Sequence, residues 1–411
     1  MKGARWAVAA AIIFAACTTL SATVQAATRS DAWVGSWASA QMSADPAAGV
    51  GEESWPNTTL RQTVRLTLSG DRLRLRLSNA FGAAPLHIAA VHVAHARASG
   101  VAAIDPASDR AVTFNGKADV TIPAGADYLS DPVDLPVTAQ SDLAISLYYA
   151  NAPVGVTGHP GSRTTSFLVT GNHTADADLN APKKTDHWFQ IAAVDVVAPK
   201  ASAVVTFGDS ITDGYASTTN ANNRWPDTLA ARLKNTGVLN LGIGGNRLLY
   251  DHTGPNALAR FDRDVLAMSG VHAVILLEGI NDLGMRHIDT ATSEEDHSAK
   301  VAEIVGAYRQ FIDRAHAAGL KVIGATITPF IGSDYYHPGA ASEADRQQIN
   351  GWIRTPGHFD AVVDFDAVVR DPAHPDRLIP AFDSGDHLHP SPAGYRAMGE
   401  AVPVTLLTGK K

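Results

Sequence analysis

"TFGDSITDG", residues Thr206–Gly214, follows the unbroken apolar run Ala203-Val204-Val205 near the middle of a 411-residue chain. A short run of small and β-branched apolar residues without alternation reads as a strand buried on both faces, the kind found in parallel sheets covered by helices. Four more such runs follow, at Val238–Leu241, Ala273–Leu277, Val322–Ile327 and Ala361–Phe365. Helical patterns accompany them. Residues Pro226 to Lys234 begin with Pro near the first turn, Ser298 to Ala318 carry apolar residues at three- and four-residue steps, and Ser391 to Leu407 close the chain. The alternation predicts an α/β domain over residues 201–411, with ligands bound beyond the carboxyl ends of its strands. Ser210 stands at that edge.

Upstream the rhythm differs. From about Trp33 to Ala198 apolar and polar residues alternate: Val64, Leu66 and Leu68 interleave with Arg65 and Thr67, and after Ser69-Gly70-Asp71 residues Leu73, Leu75 and Leu77 interleave with three arginines. This reads as a hairpin with a short turn. Further short strands are expected at Ala89–Ala94, Asp119–Ile122, Leu143–Tyr149 and Ile191–Val197. Together they predict an antiparallel β-sandwich, jelly-roll-like, over residues 27–200. The row Arg72, Arg74, Arg76 fits an exposed strand face or a ligand face. Trp33, Trp37, Trp55 and Trp188 fit core positions or sugar-stacking platforms.

With a formal net charge of -8, the chain has no field that would gather nucleic acid. Its first residues carry Lys2 and Arg5, then an apolar stretch from Trp6 to Cys17, then small residues up to Ala26. Residues 1–26 are expected to be a signal peptide and the rest to be secreted or periplasmic, with no transmembrane segment in the mature chain. Cys17, the one cysteine, would leave with that segment, so no disulfide or thiol chemistry is expected. Phe14-Ala15-Ala16-Cys17 also resembles a lipoprotein box, which would instead anchor the chain at Cys17.

A serine nucleophile needs a base, a group to orient the base, and donors for an oxyanion. A Ser or Asp that merely caps the next helix would look the same as Asp209-Ser210. Candidate partners sit at the ends of other runs. Gly242-Ile243-Gly244-Gly245-Asn246 is either a tight turn or a place where backbone N–H groups approach a ligand. Glu278-Gly279-Ile280-Asn281-Asp282 is either a loop or the source of a side-chain amide. Late in the chain, Asp383-Ser384-Gly385-Asp386-His387-Leu388-His389-Pro390 offers two imidazoles and two acids. Those groups fit either a general base or two ligands of a divalent metal, although no further ligand set at metal spacing is evident. Asp383 precedes His387 by four residues, so a second acid and imidazole pair competes with Asp386 and His389.

These four segments, in this order, resemble the SGNH hydrolases, also called the GDSL esterase and lipase family. The resemblance covers the chain from about Ala201 onward. It implies a three-layer α/β/α flavodoxin-like domain with Ser210 as nucleophile, His389 as base and Asp386 as its orienter. It further implies an oxyanion hole from the N–H groups of Ser210 and Gly245 and the Asn281 amide, and no metal or other cofactor. No GxSxG elbow of an ordinary α/β-hydrolase is present. Trp33-Val34-Gly35-Ser36-Trp37 is similar to the leader domain of secreted bacterial members. The implied activity is hydrolysis of carboxylic esters, on a small-molecule or polysaccharide substrate with short acyl groups such as acetyl. A polysaccharide O-acyltransferase using the same triad, or a carbohydrate-binding protein with little turnover, are the alternatives.

Overall fold

The computed structural model describes residues 32–44, 54–285 and 293–408; the expected signal peptide and Cys17 lie outside them. Each of the five apolar runs is a strand, and all pair in parallel: Thr236–Gly242, Ser202–Gly208, Val271–Leu277, Lys321–Ala325 and Ala361–Val363, in that spatial order. The first strand in sequence thus has neighbours on both sides, the doubly wound arrangement whose switch point opens at its carboxyl end. Register matters here. Gly208 lies opposite Gly242 on one side and Leu277 on the other, so the three loops that follow leave the sheet at one level.

Helices cover this sheet. Glu294–Ala317 and Pro392–Ala401 match the two long helical patterns, the second ending earlier than its sequence suggests. Pro403 follows there, and the chain turns into a short 3-10 segment at Val404–Leu406. The helix Ala340–Arg354 is not evident in the sequence because its inward face is largely polar. Arg346 and Asn350 are buried there beside Ile349 and Ile353.

The N-terminal part is built of antiparallel sheets. One runs Trp33–Ala38, Ile191–Val197, Gly70–Ser78, Val133–Val137; the other centres on Ser166–Thr170, Thr58–Arg65, Asp142–Tyr149 and Ala90–His95. The expected hairpin does not form, because Thr58–Arg65 and Gly70–Ser78 lie in different sheets. Between them the chain crosses over: Leu66 N–H donates to Ser141 O, and the Ser36 hydroxyl and carbonyl hold Leu68 and Thr67. Alternation reports which face of a strand is buried but not which strand lies beside it. Leu66 and Leu68 are both fully buried, at a corner between the sheets.

The two parts share one continuous apolar core, and the described residues pack as one compact unit. Thr236–Gly242 is an edge strand of the parallel sheet, and an uncovered edge exposes unpaired backbone groups. Here Thr67 Oγ1 accepts the Val238 N–H at 2.9 Å, while Gly35 N–H donates to Ser269 O at 2.9 Å. Two of the three arginines in the row serve the same contact, while Arg72 pairs with Asp134 on the outer face. Arg74 reaches Asp195 and Ser269, and Arg76 donates to the Ala267 carbonyl. Trp37, Trp55 and Trp188 are buried and belong to the core, and Trp33 lies under the Arg74 guanidinium.

The two parts meet backbone to backbone at Gly237, where an added Cβ would lie 2.1 Å from the Gly35 carbonyl oxygen. Backbone cannot yield as a flexible side chain can. Gly237→Ala is expected to destabilise the fold by about 1–3 kcal/mol, read as a lower midpoint of thermal unfolding.

Candidate active site

Strand Ser202–Gly208 ends against helix Ser210–Asp213, with Asp209 as N-cap accepting from Ile211 N–H at 2.9 Å. Ser210 therefore occupies the first helical position, where a backbone N–H has no intrahelical acceptor. Its Oγ lies 2.8 Å from His389 Nε2, and His389 Nδ1 lies 2.6 Å from Asp386 Oδ2. Both Ser210 and His389 are buried. The other Asp386 oxygen accepts the N–H groups of Leu388 and His389 and the Ser384 hydroxyl. Partial burial pulls the Asp386 carboxyl upward, but the hydrogen bonds from His389 outweigh it and hold the group well below its ordinary range.

The rival pair is separate. His387 Nδ1 meets Asp383 Oδ2 at 2.6 Å, and the His387 side chain is half exposed, outside the cavity that Ser210 and His389 line. The two imidazoles do not converge on one point as metal ligands would. Among the described residues no group of three or more His, Cys, Asp or Glu could hold a metal ion.

Gly245 and Asn281 line the same cavity of about 720 Å³. Gly245 has φ +74°, a left-handed conformation that favours glycine, and its N–H has no acceptor among the described residues. The Asn281 amide is fixed at both ends. Its Oδ1 accepts the Tyr336 hydroxyl at 2.5 Å, and its Nδ2 donates to Asn246 O at 2.6 Å. A carboxamide nitrogen carries two hydrogens, so one N–H is left for the cavity. The Asn246 carbonyl can only accept, so it dictates which end of Asn281 is nitrogen, and burial pushes the Tyr336 hydroxyl well above its ordinary range, so it keeps the proton it donates to Oδ1.

Four contributors lie outside the sequence reading. Tyr336 is one. Arg260 is fully buried beneath the loops, donating to the carbonyls of Leu241 at 2.7 Å and Gly208 at 3.0 Å, to Asn246 Oδ1 at 2.8 Å, and to Asp264 and Glu278. His159, from the antiparallel part, contacts Asp213 Oδ1 through Nε2 at 2.8 Å and Ala40 O through Nδ1 at 2.8 Å, gripping the end of the Ser210 helix. Tyr215 covers the His389 ring with centroids 4.2 Å apart. No local motif marks any of them, because each acts across a distance that spacing does not encode.

Burial pushes the Asp209 carboxyl up to about 7, against about 3.9 in an unfolded chain. The folded state therefore keeps a proton that the unfolded state has released between about pH 4 and 7, and stability falls as pH rises through that window. Burial raises neighbouring Glu278 in the same direction, while the Asp386 contribution, of opposite sign, is lost only as pH falls below about 4. The unfolding free energy is expected to be larger at pH 5 than at pH 8, with Asp209→Asn flattening the slope in denaturant titrations.

Residues 206–397 match the GDSL-like lipase/acylhydrolase family. Among solved structures the chain is similar to a GDSL-like lipase from Bacteroides thetaiotaomicron, at 21% identity over 49% of this chain and 85% of that one, TM-score 0.37. It is similar to the aryl esterase of M. smegmatis at 15% identity over 51% and 99%, TM-score 0.39. It is also similar to an acetyl xylan esterase at 20% identity over 48% and 96%, TM-score 0.37. No curated protein matches the sequence. The family match covers just under half of the chain, the half that holds Ser210, Gly245, Asn281, Asp386 and His389, and it is to lipases and acylhydrolases.

Proposed function

We propose that the chain is a carboxylic ester hydrolase with Ser210 as nucleophile, His389 as general base and Asp386 as the group that orients it. The observation that carries the reading is the unbroken relay from Ser210 Oγ to His389 Nε2 at 2.8 Å and from His389 Nδ1 to Asp386 at 2.6 Å, facing the cavity that Gly245 and Asn281 also line. His389 takes the hydroxyl proton as Oγ adds to the ester carbonyl, and Asp386, held anionic, stabilises the imidazolium. The oxyanion accepts from the N–H groups of Ser210 and Gly245 and from Asn281 Nδ2. As the tetrahedral intermediate collapses, His389 returns the proton to the leaving alcohol. Water, deprotonated by the same imidazole, then releases the acid from the acyl-enzyme.

The substrate in this reading is a short-acyl ester on a carbohydrate, met outside the cytoplasm after removal of residues 1–26. Two tyrosines on the cavity wall support it: Tyr335 is 62% exposed and Tyr215 44%, offering aromatic faces with polar tips of the kind that sugars pack against. The basic and then apolar start of the sequence supports export.

Ser210→Ala is expected to abolish release of nitrophenol from 4-nitrophenyl acetate while leaving the thermal unfolding midpoint nearly unchanged. Asn281→Ala removes one oxyanion donor and is expected to lower kcat by about 10²–10³. An unaltered kcat in Asn281→Ala would remove that residue from the mechanism, and residual wild-type turnover in Ser210→Ala would remove the nucleophile.

A further inference from the structure

Arg247 follows the Gly244-Gly245-Asn246 turn directly and lines the same cavity as Ser210. Its side chain is only 9% exposed, an expensive position for a charge without a close partner. Its Nε meets no acceptor. The carboxylate that comes within ion-pair distance is Asp282, 3.9 Å from Nε and too far for a hydrogen bond. That carboxylate is already engaged, accepting from Leu248 N–H at 2.7 Å and Leu249 N–H at 3.2 Å. One face of the guanidinium lies on the Tyr250 ring, 4.6 Å away.

Other buried arginines in the molecule are treated differently. Arg61 donates to Ser146 and to carbonyls of Ala102 and Asp176, Arg260 to the groups described above, and Arg346 to Glu343, Asp366 and the Ile327 carbonyl. Those guanidiniums hold the fold together. Arg247 lines the cavity that holds Ser210 and its side chain makes no hydrogen bond among the described residues, and it does not belong to a general basic field, since the chain carries a net charge of -8.

We propose that Arg247 binds a carboxylate carried by the ester substrate, so that the cavity selects anionic esters; this rests on the reading of Ser210 as nucleophile in the same cavity. A guanidinium presents donors in a planar fork that matches a carboxylate. A monoanion suits the site better than a phosphate dianion, because Asp282 lies behind Arg247 and Asp334 and Asp386 lie on the cavity wall. The carboxylate has two chemical sources, the acyl chain, as in a dicarboxylic half-ester, or the alcohol, as in an acylated uronic acid.

The test uses the purified full chain and two matched pairs of esters. For the acyl side, 4-nitrophenyl hydrogen succinate is compared with its neutral methyl ester. For the alcohol side, an O-acetylated methyl glucuronoside is compared with the corresponding O-acetylated methyl glucoside. The ratio of kcat/KM, anionic over neutral, is expected to be about 10–100 in one pair, as a charge-assisted hydrogen bond would give. It should fall to near one in Arg247→Gln and be partly kept in Arg247→Lys. Ratios near one for both pairs in the wild type overturn the proposal without needing any variant to fold, and so does a high ratio that Arg247→Gln leaves intact. Calorimetric titration of Ser210→Ala with monomethyl succinate and with methyl glucuronoside reads the subsite without turnover. Binding that disappears in Ser210→Ala/Arg247→Gln supports the subsite even if no ester is hydrolysed, whereas absence of turnover in the wild type counts against the nucleophile alone. No binding of either ligand to Ser210→Ala overturns the subsite.

Discussion

The guanidinium of Arg260 is the interaction on which the site depends. Three loops leave the parallel sheet at one level, and nothing in a parallel sheet fixes where such loops go next. Arg260 does so from below, with one hydrogen bond to the residue before Asp209-Ser210, one to the end of the neighbouring strand, one to Asn246 and one to Glu278. Its face also covers the Phe207 ring at 3.7 Å. A buried cation is tolerated only when its donors are met, and removing one partner of such a group typically costs about 3–5 kcal/mol. Asn246, held in this way, then supplies the carbonyl that orients Asn281. The chain of consequence runs from one buried charge to an amide aimed into the cavity.

The antiparallel part is equally involved, though it contributes neither Ser210 nor His389. It caps the edge strand of the parallel sheet through Thr67, bonds Ser269 ahead of the strand Val271–Leu277 through Gly35, and reaches the Ser210 helix through His159. That helix has only four residues, too few to be stable by itself. Its beginning is held by Asp209 and its end by Asp213, which is pinned by an imidazole whose other nitrogen meets the Ala40 carbonyl. Arg163 adds a cation over the ring of Tyr215, which in turn covers His389. The antiparallel sheets thus act as a scaffold for Ser210 and His389.

Much of this was legible in the sequence where information is local. Five apolar runs became five parallel strands, because a strand buried on both faces leaves an uninterrupted record. The segments holding Ser210, Gly245, Asn281 and His389 could be read because each follows a strand or closes the chain. Contacts between distant segments were not legible. The alternation in Val64–Leu77 identified buried faces but paired the wrong strands, since two sheets meeting at a corner write the same pattern as a hairpin. Arg260, Tyr336 and His159 stand in stretches with no distinguishing spacing, and the partners through which they act on the site, Asn246, Asn281 and Asp213, lie 14, 55 and 54 residues away. Helix Ala340–Arg354 was hidden for a related reason: its buried polar residues find partners in Ile327 and Asp366, so the apolar stripe that marks most helices is broken.

The C-terminal loop shows most directly why spacing alone could not choose between its two acid and imidazole pairs. Asp383 and Asp386 behave alike: each gathers the N–H groups of the residues after it, and each bonds the Nδ1 of a histidine. What separates them is backbone conformation. Gly385 at φ +103° and His387 at φ +59° are both left-handed, and the loop closes on itself where Ser384 N–H donates to the His389 carbonyl. These two reversals leave the ring of His387 half exposed while His389 meets Ser210. A left-handed histidine is uncommon, and the Asp383 carboxylate, bonded to both its N–H and its ring, is what holds it there. The second pair therefore has a physical purpose of its own, since by stabilising the turn at His387 it determines where His389 must point.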